Sequence, residues 1–298
     1  MKKLMIVSVM LMAAFAAQAQ LKVAPKMEKG TTKTYATTMT TNIPGQGEVK
    51  ITADTKYTVS AATADGYVVD VVSTDVKSDA TADNIAGKLI SASQELMKDM
   101  TVSLATDKDG KILGIKNFNE LKPKIDEASG KFADKMLKEI PQLTQLMSKE
   151  ALINQINESL TEENLVRTMQ ANTSVLVLNG KTIMTGAQDE FVNEQGMKMK
   201  RMYFVNGKKV TTNSSMNMSK DEIKAFIIKQ VEQLAPEQAE MIKKNIDQVM
   251  ATGMLKIDMK ETANYEFADD GWVKTLKTEA TTDTMGQQTK INTVSTLK

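Results

Sequence analysis

Neither cysteine nor histidine occurs anywhere in this chain. Without cysteine there is no disulfide, no thiolate nucleophile and no residue on which an N-terminal lipid anchor could be built. Without histidine the commonest general base, the usual triad base and the commonest transition-metal ligand are gone. Aromatic residues make up 4% of the sequence and tryptophan occurs once, at Trp272, so a sugar platform of several stacked rings has no material. Net charge is lacking too. Setting aside Lys2 and Lys3 leaves 36 basic against 37 acidic residues, a net of −1. That argues against nucleic acid and against capture on an anionic lipid surface. Beyond residue 20 no apolar run approaches the roughly 20 residues of a membrane span.

What is present starts with MKKLMIVSVMLMAAFAAQAQ. A short positive start, an apolar run over 4–15 and an A-x-A site at 17–19 read as a secretory signal peptide over 1–19. The remainder, 20–298, reads as a single exported domain, periplasmic or extracellular. It is long enough to bury a sufficient core without disulfides.

Residues 31–76 carry strand signals. Val49, Ile51 and Ala53 alternate with Lys50, Thr52 and Asp54, and GYVVDVVS is richly β-branched. A helical period follows over 83–98 through Ile85, Leu89, Ala92 and Leu96, with Asp83 as N-cap. Residues 119–171 are helical in several pieces, with Leu121, Ile125, Phe132, Met136 and Ile140 in one stripe. Gly130 and Pro141 are expected to interrupt or end helices there, and Thr161 to cap one. VLVL at 175–178 is apolar on both faces and predicts a buried strand. Asn206-Gly207 is a hairpin signal. Ser219-Lys-Asp-Glu222 is a capping box, and Pro236 suits a first helical turn. The order helix, strand, DG turn, strand occurs at 83–116 and again at 237–282, which suggests two pseudo-repeated halves. Segregated runs of strands and helices predict an α+β fold. The expected form is an antiparallel, half-barrel-like sheet with helices on one face and a helical insertion at 119–171.

DKDGKIL at 107–113 has the look of a calcium loop. With Gly110 on the invariant glycine of an EF-hand, the first ligand position falls on Ala105 and the bidentate glutamate on Lys116. Too few oxygens remain, so the stretch is read as a hairpin turn with Asp-Gly supplying positive φ. The DG pairs at 65–66 and 270–271 read the same way. The M-x-M pairs Met197/Met199 and Met216/Met218 have a Cu(I)-like spacing but no histidine or cysteine behind them, so they read as strand packing. Adjacent acids such as Asp189/Glu190 point to opposite faces of a strand and cannot form a two-carboxylate site. No P-loop, dinucleotide fingerprint or nucleophile elbow occurs. The chain is read as non-enzymatic, with no cofactor, no metal and no catalytic residue.

The exported N-terminus, G-x-x-x-x-Y at 30–35, DKDGKIL leading into NFNEL, and the closing YEFADDGW resemble a family of uncharacterised exported proteins of Gram-negative bacteria. That resemblance implies no activity and no site residues. The expected layout is also similar to the fold of periplasmic lipoprotein carriers, from which the long stretch 119–171 departs.

Methionine is plentiful, at 22 residues, and fills adaptable apolar surfaces. Met136, Met147, Met169, Met241 and Met250 fall on helical segments. The expected site is an apolar cleft between sheet and helices, with Phe226, Ile227, Met136, Met241 and Met250 as ligand-binding residues. The expected partner is an apolar or amphipathic small molecule, or alternatively an envelope protein.

Overall fold

The computed structural model describes residues 19–298 apart from 46, 81–87, 90–91, 93–95, 97–98, 146–147, 172, 194–195, 235, 252–256 and 285. The signal segment 1–18, Ile85 and Met147 therefore lie outside the described residues. Of the helix expected over 83–98, the described Leu89, Ala92 and Leu96 are helical.

Eleven strands form one antiparallel sheet, β6-β5-β4-β3-β2-β13-β12-β11-β10-β9-β8. The first group is β2 (Thr32–Ile43), β3 (Gly47–Ala62), β4 (Gly66–Ser78), β5 (Val102–Asp107) and β6 (Ile112–Ile115). The second is β8 (Gln188–Val192), β9 (Lys198–Asn206), β10 (Lys209–Met216), β11 (Ile257–Phe267), β12 (Val273–Thr284) and β13 (Gln287–Leu297). Each group is a meander, and the two join where β13 pairs with β2. A short pair, β1 (Gln20–Lys22) with β7 (Thr182–Met184), forms a second sheet. Among the described residues the large sheet is not closed, since β6 and β8 each pair on one side only. Together with the helices this is an α+β fold, as expected.

Turn chemistry decides the register. Asp107 accepts from the amides of Asp109 and Lys111, both at 2.9 Å, so the DKDG stretch is a hairpin turn that uses its own first carboxylate. At the next turn a Cβ on Gly66 would lie 1.9 Å from the Thr106 carbonyl oxygen, so β4 and β5 approach closely only because that residue is glycine. Asn206-Gly207 joins β9 to β10 as predicted.

The helices are α1 (Phe118–Glu139), α2 (Lys149–Ser159), α3 (Glu162–Ala171), α4 (Lys220–Leu234) and α5 (Pro236–Ala251), with a 3-10 turn at Pro141–Gln145. Thr161 caps α3 through the Asn164 amide. Ser219 and Glu222 form the reciprocal capping box of α4. Pro141 follows the end of α1, but Gly130 does not interrupt it. A mid-helix glycine costs about 1 kcal/mol relative to alanine. Burial of the Leu121, Ile125, Ala133 and Met136 face outweighs that.

The expected strand at 175–178 is absent. Residues 175–180 make successive turns, with Val177 bonded back to Ser174, Asn179 to Leu176 and Lys181 to Leu178. All four apolar side chains are buried in the main core. The segment is apolar all round because a plug is enclosed on every side, which mimics the pattern of a buried strand.

That core fills one end of the sheet's concave side. Tyr35, Val59, Val69, Leu104, Tyr265, Phe267 and Trp272 meet Leu121 and Ile125 of α1 there. The N-terminal segment closes this end from outside. Lys26 donates its amide to the Asp270 carbonyl at 2.8 Å and receives the Trp272 indole N–H at 3.0 Å. The far half of α1 forms a smaller cluster, in which Met136 and Ile140 pack on Ala92 and Leu152.

Candidate functional site

At its other end the concave face is not filled. A cavity of about 420 Å³ is lined by β2, β3, β8 to β13 and the segment after α3. Walls from eight strands show how far the sheet curls. Of 22 lining residues, nine are serine or threonine and nine are aliphatic, methionine or phenylalanine. Strand alternation produces this mixture. Thr37 and Met39 on β2, Thr278, Ala280 and Thr282 on β12, and Ile291, Thr293 and Ser295 on β13 all face inward. Register sets them side by side, with Thr293 opposite Met39 and Thr278, and Ser295 opposite Thr37. The Thr37 and Ser295 hydroxyls hydrogen-bond at 2.9 Å.

Toward the closed end, Tyr35 and Tyr57 meet edge to face at 5.6 Å. Burial pushes the Tyr57 phenol up to about 12, and it raises Tyr35 further. Both phenols are neutral at physiological pH. Glu261 is the one charged residue in the lining, and it accepts the Thr173 hydroxyl. Beside it across β10 and β11 stands Ser214, whose buried hydroxyl has no partner among the described residues. One more cross-strand step reaches Arg201, which is 2% exposed. Its guanidinium donates to the Ala171 carbonyl at 2.8 Å, at the negative end of α3, and lies 4.1 Å over the Phe191 ring. Arg201 thus fixes Ala171 and Phe191.

Those two residues also line a second cleft, of about 540 Å³, so they form the wall between the two hollows. This seam cleft lies where β6 and β8 fail to meet and the segment 173–181 lies between them. Gln170 caps the β6 side by donating to the Ile112 carbonyl at 2.9 Å. On the β8 side, Lys181 donates to Asp189 at 2.8 Å and to the Tyr203 hydroxyl at 2.9 Å, and Tyr203 donates to Asp189 at 2.6 Å.

The five residues expected to bind ligand fall elsewhere. Met136 is fully buried in the smaller cluster. Phe226, Ile227, Met241 and Met250 belong to α4 and α5, which pack chiefly on each other. Met241 is 58% exposed, and Phe226, Ile227 and Met250 are half-buried. None of the five lines the concave cavity or the seam cleft. The methionines that do line the cavity are strand residues, Met39, Met199 and Met259. Each of the three sits on an alternating strand, β2, β9 or β11, a pattern that is the same whether the inward face meets a core or a cavity.

No protein-family model matches the chain, and no curated protein matches it by sequence. Among solved structures it is similar to lipovitellin, described for its lipid–protein interactions, at 11% identity and a TM-score of 0.39. That alignment covers 92% of this chain and 25% of the lipovitellin chain, so this chain spans about a quarter of that protein. An S-type phycobiliprotein lyase from Guillardia theta matches at 6% identity and TM-score 0.22, covering 91% of this chain and 89% of the lyase. A porin-like protein from Bacteroides uniformis matches at 9% and 0.21, covering 93% and 99%. At these scores the likenesses fix no shared family. No helix among the described residues is long and apolar enough to cross a membrane.

Proposed function

We propose that the protein is an exported, non-enzymatic binding protein that holds an amphipathic ligand in the concave cavity of its sheet. One observation carries this reading: the cavity lining holds as many serines and threonines as apolar side chains, with one carboxylate among them. A core would be apolar there, because burying an unpaired hydroxyl costs about 1–3 kcal/mol. A purely aqueous groove would not carry Met39, Met199, Met259, Leu276 and Ile291. A mixed lining suits a molecule with an apolar body and several neutral hydrogen-bonding groups. The volume, about 420 Å³, is within the range of small-ligand pockets.

The test is native mass spectrometry of the protein purified from an envelope extract, before and after organic extraction, on the natural chain and on Ala280→Trp. Ala280 faces the cavity, so an indole there fills it. The expected result is an adduct that extraction removes and that Ala280→Trp does not carry. Ile227→Asp, at a half-buried position of α4 that lines neither hollow, should keep the adduct. An adduct retained by Ala280→Trp and lost with Ile227→Asp would move the site to the helices, and an apo mass throughout would remove the reading.

A further inference from the structure

The seam cleft beside β8 is distinct from the concave cavity and shares one wall with it. We propose that it receives an extended, acidic segment of a partner protein, added as a strand to the free edge of β8. Three observations converge on this.

The first is the edge itself. Ala187 accepts the Tyr203 amide at 3.0 Å, and Asn193 donates to Met197 at 3.0 Å. In an antiparallel pair bonded and non-bonded residues alternate. The peptide groups of Gln188, Glu190 and Val192 therefore point away from β9, where no strand among the described residues pairs with them. The opposite edge differs, because Gln170 already caps it at Ile112.

The second is a pair of buried polar atoms at the cleft, one on β8 and one against the turn between β5 and β6. Asn179 Nδ2 and Asp189 Oδ1 are buried and have no partner among the described residues, and both residues line this cleft. Asn179 is 4% exposed. One atom donates and the other accepts. An incoming backbone supplies both complements, carbonyl and amide, which a hydrocarbon chain cannot.

The third is charge. Lys111, Arg167 and Lys181 line the cleft against Asp189 and Glu190. Lys181 is paired with Asp189, and Glu190 accepts from the Asn217 side chain. Neither Lys111 nor Arg167 has an ion-pair partner among the described residues, and three cations against two carboxylates leave a surplus of one positive charge. Acidic side chains on the incoming strand would meet it.

The experiment measures fluorescence anisotropy of a labelled heptapeptide of alternating glutamate and valine with the purified protein. A lysine–valine peptide serves as control. Val192→Pro removes an outward amide without touching the β9 ladder, since proline is tolerated on an edge whose N–H faces out. The expected result is saturable binding of the acidic peptide, weakened about tenfold by Val192→Pro, the loss of one hydrogen bond. Arg167→Glu, on an exposed helical residue, should weaken it as well, and the lysine peptide should not bind. Ligand loading of the concave cavity should be unchanged in both variants, which separates this site from the proposed function. Equal binding to Val192→Pro, or no saturable binding of the acidic peptide, overturns the proposal. So does concentration-dependent dimerisation that Val192→Pro abolishes, because the occupant is then a second copy of this chain.

Discussion

The two ends of the concave face are made by the same strands and built on opposite rules. At the closed end, β2 contributes Tyr35 and the β11–β12 turn contributes Trp272, each about as buried as a residue can be. Their polar tips are satisfied: the Tyr35 hydroxyl donates to the Val273 carbonyl at 2.6 Å, and the Trp272 indole to Lys26 at 3.0 Å. Two residues further along β2 the inward side chain is Thr37, and two further Met39. On β12 the same step runs from Leu276 to Thr278 and Ala280. Large rings with paired tips give way to small hydroxyls and flexible thioethers. The closed end holds the curl of the sheet, and the open end leaves room. One strand serves both because side chains on one face are independent choices at every second residue.

That contrast predicts unequal tolerance. Trp272→Ala at the closed end should cost about 3–5 kcal/mol, the range for deleting a buried aromatic. It also frees the N-terminal segment, since Lys26 loses its indole partner. A loss of unfolding free energy in denaturant titration of less than a third of that would mean the closed end is not the anchor. Ala280→Trp at the open end is the mirror case, because the indole enters a void. Its stability should stay within about 1 kcal/mol of the natural protein, below the usual cost of overpacking a filled core. A loss as large as that of Trp272→Ala would show that both ends are packed alike. Tyr35→Phe should fall between them. It keeps the ring and strips the Val273 carbonyl of its donor, for about 1–3 kcal/mol, and urea titration reads it.

Most of the frame was legible in the sequence because turns and caps are local. Asp107-Lys-Asp-Gly110, Asn206-Gly207, Ser219 with Glu222, and Pro236 each act through neighbours a few residues away, and each is where its chemistry put it. What failed was non-local. The 175–178 run looked like a strand because apolarity on all sides reports enclosure, not extended backbone. Met241 is largely exposed, and Phe226 and Ile227 looked like a cleft wall because a helical stripe shows that something covers it, not what. Here the cover is chiefly the neighbouring helix. The concave cavity left no distinct mark, because Thr278, Thr282 and Thr293 alternate just as solvent-facing threonines do. Only the pairing of β13 with β2, ends of the chain far apart in sequence, turns them toward one another.

The smallest effect sharpens the comparison most, because it acts on one end alone. Asp270 sits in the turn beside Trp272, accepting the Lys33 ammonium at 2.7 Å and the Trp272 amide at 3.1 Å. Partial burial by itself would raise its carboxyl. The Lys33 pair and the turn amides outweigh that and hold it below the ordinary carboxylate value of 3.8. A group depressed in the folded state stabilises above its unfolded value, and loses that contribution as pH falls through the folded one. The tie between β2 and the closing turn is therefore complete at neutral pH and fades below about pH 4. Asp270→Asn keeps an acceptor for the Trp272 amide but removes the charge. Melting temperatures between pH 6 and pH 3 should fall less steeply for this variant than for the natural protein. Solvent screening keeps the difference small, since the carboxylate side chain is 34% exposed. Ligand loading at pH 7 should be the same for both, because Lys33, Asp270 and Trp272 do not line the cavity. Identical slopes would remove the Lys33–Asp270 pair from the closed end. Altered loading at pH 7 would mean that the two ends of the face are coupled, and that the closed end shapes the cavity as well as supporting it.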